Sequence, residues 1–161
     1  MPLEGENQSH FNAASGYLTL GMYLEANEEL DMIDPACRHF PEVLEAGSRI
    51  YEALERWELA EGVTARLVQI FPDDNWQIVL ARLTKHLRGV EAALAILIEY
   101  QKKHPRDQVV LYRLAECECE LGRPESALEL LRQSFAIDDH LIFWLPENPA
   151  LEAIWNHRPQ K

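Results

Sequence analysis

Two of the chain's three cysteines, Cys117 and Cys119, lie two positions apart in the segment ECECELGRPESALELL, residues 116–131. Thiolates at short spacing can bind a metal ion or form a redox pair. If the segment is a helix, however, the two side chains point about 200° apart around its axis and cannot readily share a metal or form a disulfide. The six histidines add no cluster of further ligands. We therefore expect no metal site. The two cysteines are expected to be small packing residues or surface positions, and the alternative is that Cys119 is reactive.

Motifs for catalysis are also missing from the sequence. It contains no glycine-rich phosphate loop, no paired His and Glu motif on a helix and no nucleophile elbow. The abundant acidic residues are spread along the chain in a way that is typical of solvated helix faces. We expect a protein that is not an enzyme and that needs no cofactor.

Charge and composition narrow the class of partner. The chain has 161 residues with 15 basic and 27 acidic side chains, a formal charge of -12 that repels nucleic acid and anionic lipid. No run of 18 apolar residues is present to span a membrane, and the start MPLEGENQSHFN lacks the features of a secretory signal. The three cysteines are sparse and odd in number, unlike the even and dense set of a disulfide framework. These features predict a cytoplasmic protein with reduced thiols.

Three columns of residues recur every 33 or 34 positions, and they indicate the elements that must position any site. One column is alanine, one is leucine and one is small: Ala26, Ala60, Ala93, Ala127; Leu20, Leu54, Leu87, Leu121; and Ala14, Ser48, Ala81, Ala115. Small residues on facing helices let two backbones approach closely. The leucine at the end of each first helix can cover the turn. The period predicts repeated pairs of antiparallel helices.

Glycine and proline mark the ends of these helices. Glycine falls near the predicted turn inside three units, at Gly21, Gly89 and Gly122, where Gly122 offers the left-handed conformation that ends a helix. Pro72 and Pro105 stop the second helices of two units. In the first unit, Asp34-Pro35 stops the second helix early, and a longer connection leads to Pro41.

On these residues the chain resembles the tetratricopeptide repeat family. The match is best in the fourth unit, through Leu114, Ala115, Leu121, Gly122, Ala127 and Leu131. The resemblance implies an all-α fold, a right-handed superhelical stack of antiparallel helix pairs that forms an α-solenoid. We expect one domain over residues 1–161, with repeats at about 7–40, 41–73, 74–107 and 108–139. Residues 140–158, with the helix start Asn148-Pro149, are expected to cap the last repeat.

The family places certain positions of each first helix on a concave groove, and the resemblance implies a partner-binding surface there. Carried over residue by residue, the set is Phe11, Ser15, Leu18, Arg49, Ile78, Arg82, Lys85, His86, Tyr112, Glu116 and Cys119. Its central basic residues would hold a carboxylate of a peptide partner, and its aromatic residues would pack on apolar side chains. Alternatively, the basic residues pair with Glu45, Glu52 and Glu116 within the wall. Arginine at 49 and 82, where the family's clamp for chaperone tails uses asparagine, argues against such tails as partners.

Two functions remain from this reading. The first is a protein-protein interaction scaffold that binds a protein or peptide in the groove, and the alternative is a small acidic secretion-type chaperone for an apolar client. Charge is also uneven: residues 1–37 hold seven acidic and no basic side chains, whereas residues 74–107 hold six basic and four acidic ones. This asymmetry predicts a weak homo-oligomer that salt would dissociate.

Overall fold

The structure, a computed structural model, describes residues 3–72 and 74–137. Within them the chain forms eight α-helices and no strand. The helices are α1 (Gly5–Thr19), α2 (Tyr23–Met32), α3 (Pro41–Ala53), α4 (Trp57–Ile70), α5 (Trp76–Arg88), α6 (Val90–Lys103), α7 (Gln108–Glu120) and α8 (Pro124–Ile137). The all-α prediction is therefore confirmed. The predicted cap at 140–158 lies outside the described residues.

The residues of the alanine column and of the facing small column are buried, as packing between paired helices requires. Ala26, Ala60, Ala93 and Ala127 are at most 1% exposed, and so are Ala14, Ser48, Ala81 and Ala115 from the facing column. α1 packs on α2, α3 on α4 and α7 on α8. Side chains of this size leave room for two backbones at short distance, so the repeat period reflects helix packing.

Three of the turns inside the helix pairs have the same hydrogen bonds. In the fourth pair, Gly122 N–H donates to the carbonyl of Cys119, and Arg123 N–H donates to that of Glu118. Equivalent bonds follow α1 and α3, and the residue at the Gly122 position is Gly21 after α1 but Glu55 after α3. All three have positive φ, 71° at Gly122, 74° at Gly21 and 55° at Glu55. The glycine signal is confirmed, and Glu55 adopts the same conformation without being glycine.

The connection between α2 and α3 is longer than a turn and is held by side chains. α2 ends at Met32, as Asp34-Pro35 predicts, and a short 3-10 helix covers Pro35–Cys37. The carboxylate of Asp34 accepts a hydrogen bond from Ala36 N–H. Arg38 donates from Nε to the carbonyl of Ile33 at 2.8 Å and from Nη2 to that of Asp31 at 2.6 Å. Arg38 thus satisfies carbonyls that the end of α2 leaves unpaired.

The chain divides into two compact units, Met1–Leu83 and Thr84–Lys161, with the boundary inside α5. The core of the first unit contains Ala14, Leu30, Ile33, Val43 and Ile50, with Phe11, Tyr17 and Leu18 packed against it. A cluster in the second unit contains Tyr112, Ala115, Cys119, Ala127 and Leu131. The assignment of 1–161 to one domain stays a prediction. In the described part of the chain, no helix combines the length and apolar character that a membrane span requires.

Candidate partner-binding site

The two neighbouring cysteines are part of the interior of the second unit. Cys117 and Cys119 are both buried on α7, and Cys119 packs with Tyr112, Ala127 and Leu131. Burial raises the pKa of the Cys117 thiol to about 11, and nearby glutamates add to the effect while Lys85 opposes it. The Cys117 thiol is therefore protonated at neutral pH and is a poor nucleophile. Among the described residues, no group of three or more His, Cys, Asp or Glu side chains is arranged to hold a metal.

The predicted basic residues of α5 are engaged by carboxylates of the same chain. Arg82 forms an ion pair with Glu52 inside the first unit, and Lys85 forms one with Glu120 inside the second. The alternative interpretation predicts that the basic residues pair with carboxylates of the wall, and it includes Glu52 among those carboxylates. A partner's carboxylate would have to displace Glu52 or Glu120 to bind these two cations. His86, next to Lys85, has an exposed side chain.

The other predicted site residues differ widely in exposure. Tyr112, Glu116 and Cys119 on α7 are each no more than 9% exposed, so α7 presents little of these side chains to a partner. Glu116 pairs with Arg113, whose Nη1 lies 2.8 Å from Oε2. Four further members are half-buried, and Arg49 is exposed: the four are Phe11, Ser15, Leu18 and Ile78. The assignment of the full set to one groove stays a prediction.

Two members of the predicted set, Leu18 and Arg49, meet in an open cleft of the first unit. The cleft has a volume of about 460 Å³ and lies where α1 ends, α2 begins, α3 ends and α4 begins. It is lined by Leu18, Tyr23, Arg49, Glu52, Ala53, Glu55 and Trp57. A concave site of this size that mixes aromatic surface with a few charges suits a side chain or a short segment of another molecule.

The charges in the cleft are not equivalent. Glu52 is already paired with Arg82. Arg49 is exposed, and among residues 3–72 and 74–137 no carboxylate forms an ion pair with it. Because Arg82 neutralises Glu52, the two charges left to act on a ligand are those of Arg49 and Glu55. The cleft therefore offers a guanidinium beside the rings of Tyr23 and Trp57.

Tyr23, Glu55 and Trp57 were absent from the predicted set, because the positions carried over from the family lie on first helices. A signal for them does exist in the sequence. Tyr23 and Trp57 are 34 residues apart, and each begins the second helix of its repeat. They therefore form an aromatic column over the first two repeats. Glu55 likewise follows Gly21 by 34 residues.

Comparison with known proteins confirms the predicted resemblance. Residues 90–140 match the family model described as tetratricopeptide repeat. No curated protein sequence matches the chain significantly. Among solved structures, MamA MSR-1 has a TM-score of 0.70 at 16% identity over 83% of this chain and 77% of that one. MamA AMB-1 has a TM-score of 0.69 at 17% identity, covering 89% and 79%.

A further solved structure has repeats described as TPR-like. It holds the nearly identical TPR-like repeats of a Podosopora anserina protein described as a kinesin light chain, with a TM-score of 0.61 at 23% identity. The match covers 94% of this chain and 84% of that one. At these identities the likeness to all three structures concerns the fold alone.

Proposed function

Because the chain has the tetratricopeptide repeat fold, we propose that it is a protein-interaction scaffold whose first unit binds a carboxylate-bearing segment of a partner protein in its cleft. Repeat proteins of this class typically act by presenting surfaces for other polypeptides, and catalytic chemistry is not their usual role. Two members of the predicted set, Leu18 and Arg49, line the cleft, and Arg49 is exposed. Arg49 is therefore the residue on which the proposal depends.

The observation that supports this choice is the exposed guanidinium of Arg49, with which no carboxylate in the described part of the chain forms an ion pair. An arginine side chain can donate two parallel hydrogen bonds to one carboxylate, and such charge-assisted bonds are stronger than neutral ones. The rings of Tyr23 and Trp57 lie in the same cleft and can pack on the apolar part of the bound residue. Arg82 and Lys85 contribute less, since each already has a carboxylate partner.

Glu55 adds a restriction on the sequence of the partner. It lines the cleft with Arg49 and would repel a second carboxylate placed beside the first. Its own side chain is exposed, so water and salt weaken this repulsion. We expect the preferred segment to carry one acidic group next to neutral or basic residues.

Selection from a display library of random short peptides tests the proposal. The wild-type chain should enrich peptides with one aspartate, one glutamate or a free carboxyl terminus. Arg49→Glu should weaken binding of the selected peptides by about tenfold or more, because attraction at the cleft becomes repulsion. Arg66→Glu is the matched control, an exposed arginine of α4 outside the cleft. Equal binding by the wild-type chain and Arg49→Glu would refute the proposal.

A chaperone for an apolar client is the second candidate function, and exposed apolar side chains in the first unit favour it. Leu20 and Leu24 are 72% and 61% exposed. A chaperone should co-purify with an unstable client and keep it soluble, whereas a scaffold should bind partners that are already folded or short peptides. Co-expression with a captured partner, followed by its solubility with and without this chain, separates the two functions.

A further inference from the structure

The turn between α1 and α2 carries four apolar side chains that face solvent. Leu20, Met22, Tyr23 and Leu24, which we call the turn patch, are 72%, 38%, 38% and 61% exposed. They fall within five consecutive residues around Gly21. Scattered apolar residues are normal on a protein surface, but a contiguous cluster of large ones is a mark of an interaction site.

The repeat itself shows that the fold does not require apolar residues at these places. The turn after α3 and the turn after α7 have the same backbone hydrogen bonds as the turn after α1. At the position of Met22 they have Arg56 and Arg123, and at the position of Leu24 they have Glu58 and Glu125. The turn after α1 thus has apolar side chains at two positions where the turns after α3 and α7 have a charged pair.

In the leucine column, too, the residue at the turn after α1 is more exposed than its counterparts after α3 and α7. Leu54 and Leu121 are half-buried, whereas Leu20 is the most exposed large apolar residue of the described chain. Leu20 therefore does not cover its turn, contrary to the expectation for that column. Its side chain, like that of Leu24, contributes little apolar burial to the fold of this chain.

The charge around the turn patch defines the chemistry of what would cover it. The first unit, residues 1–83, holds 15 of the 27 acidic and five of the 15 basic side chains, so it carries -10 of the formal charge of -12. α2, which begins in the turn patch, has four acidic residues and neither lysine nor arginine: Glu25, Glu28, Glu29 and Asp31. An apolar surface in this field attracts apolar groups that are accompanied by positive charge.

We propose that the turn patch is a second docking surface, which binds a cationic amphipathic segment of a partner protein. Apolar side chains of the segment cover Leu20, Met22 and Leu24, and its lysines or arginines pair with carboxylates of α2, of which Glu28 is exposed. The chemistry is opposite to that of the Arg49 cleft, so this surface goes beyond the function proposed above. A symmetric dimer through this surface is disfavoured because two units of charge -10 would meet, and an anionic membrane is repelled by the same charge.

The double variant Met22→Arg/Leu24→Glu, the patch variant, replaces two of the four patch residues with the charged pair that the turns after α3 and α7 already have. It leaves the net charge and Tyr23 of the cleft unchanged. The matched control is Ile70→Arg/Ile98→Glu, which makes the same two kinds of substitution at residues that are 42% and 39% exposed on α4 and α6. Thermal melts should show that the patch variant is folded, and binding of the peptides selected on the Arg49 cleft should be unchanged in it.

Three designed peptides of equal length serve as probes. One places leucine and lysine at amphipathic helical spacing, one replaces its lysines with glutamate, and one replaces its leucines with serine. We expect the leucine-lysine peptide to bind the wild-type chain and the control variant at least about tenfold more tightly than it binds the patch variant. The other two peptides should bind the wild-type chain at least about tenfold more weakly than the leucine-lysine peptide does.

Several outcomes would overturn the proposal. They are equal binding of the leucine-lysine peptide by the wild-type chain and the patch variant, and equal binding of the glutamate or serine peptide by the wild-type chain. A wild-type dimer that the patch variant dissociates in sedimentation would assign the surface to a second copy. Flotation of the wild-type chain, but not the patch variant, with zwitterionic or anionic vesicles would assign it to a membrane.

Discussion

Glu55 occupies a backbone conformation that the repeat otherwise gives to glycine. Its φ of 55° matches those of Gly21 and Gly122 at the same position of other units. For a residue with a Cβ, the left-handed region costs about 1–2 kcal/mol. The side chain also lines the cleft beside Arg49. Strained residues are often found at functional sites, and a role in shaping the ligand preference of the cleft would account for glutamate here.

Glu55→Gly should therefore stabilise the protein. Relief of the left-handed strain exceeds the extra chain entropy that glycine gives the unfolded state, and we expect a net gain of about 0.5–1 kcal/mol in the free energy of unfolding. Urea denaturation followed by circular dichroism measures it. Glu58→Gly, three residues later in the first turn of α4, is the matched control and should lose stability. Equal effects of the two variants would contradict the strain argument.

Cys117 should react slowly with alkylating agents. With its pKa raised to about 11, about one Cys117 side chain in a thousand is a thiolate at about pH 8. Mass spectrometry after brief iodoacetamide treatment should find the half-buried Cys37 modified at least about tenfold faster. Because the folded pKa is above the ordinary value of 9.0, the free energy of unfolding should fall as the pH rises between these two values. Faster modification of Cys117 than of Cys37 would refute its assignment as an inert core thiol.

The candidate site was only partly predictable from sequence. Leu18 and Arg49 follow from their repeat positions, and both line the cleft. The pair of Arg82 with Glu52 agrees with the alternative in which wall carboxylates engage the basic residues. That alternative did not name Glu120 as the partner of Lys85, because this choice depends on side-chain rotamers and on a carboxylate 35 residues away. Burial of Tyr112 likewise depends on tertiary packing. A repeat position predicts where a residue lies on its helix, but it does not predict which side chains that residue contacts.

At the scale of helices, more could be predicted because the signals are local. Gly122 and Pro124 mark the end of α7 and the start of α8, and Asp34-Pro35 accounts for the early end of α2. The alanine column identified four buried positions on the second helices. The hydrogen bond between Ser48 and Thr64 could not be inferred, since serine was read there only as a small residue. It joins two hydroxyls at 2.7 Å in a site where both residues are at most 1% exposed.

This buried pair makes α3 and α4 sensitive to loss of one partner alone. Thr64→Val keeps the shape but leaves the Ser48 hydroxyl without this partner, and we expect a loss of about 1–3 kcal/mol in the free energy of unfolding. In Ser48→Ala/Thr64→Val both hydroxyls are gone, so the loss should be smaller than the sum of the two single losses. Chemical denaturation of all four proteins completes the double-mutant cycle. Additive losses would show that the hydroxyls do not interact.

At the scale of the whole molecule, charge is the property that divides the chain. The first unit carries -10 and the second -2 of the formal charge. Like charges concentrated in one compact unit repel each other and reduce its stability. Composition gave the total charge, but its distribution over compact units required the structure.

Salt should therefore stabilise the protein. Screening of the repulsion between acidic side chains should raise the midpoint of thermal unfolding as sodium chloride increases from about 0.01 M to about 0.15 M, where the Debye length falls from about 30 Å to about 8 Å. Glu28→Lys/Glu45→Lys, at two exposed positions of the first unit, should reduce this salt dependence. Sucrose at equal osmolality is the control for effects not caused by ions. A midpoint that is insensitive to salt would contradict the repulsion argument.

The bracing of the α2–α3 connection by Arg38 bears on how this chain withstands proteolysis. Trypsin cleaves after a basic residue only when that side chain can enter the specificity pocket of the protease. The guanidinium of Arg38 is held instead by the carbonyls of Asp31 and Ile33. The peptide bond between Arg38 and His39, in the link between the first two helix pairs, should therefore resist trypsin, although His39 is exposed.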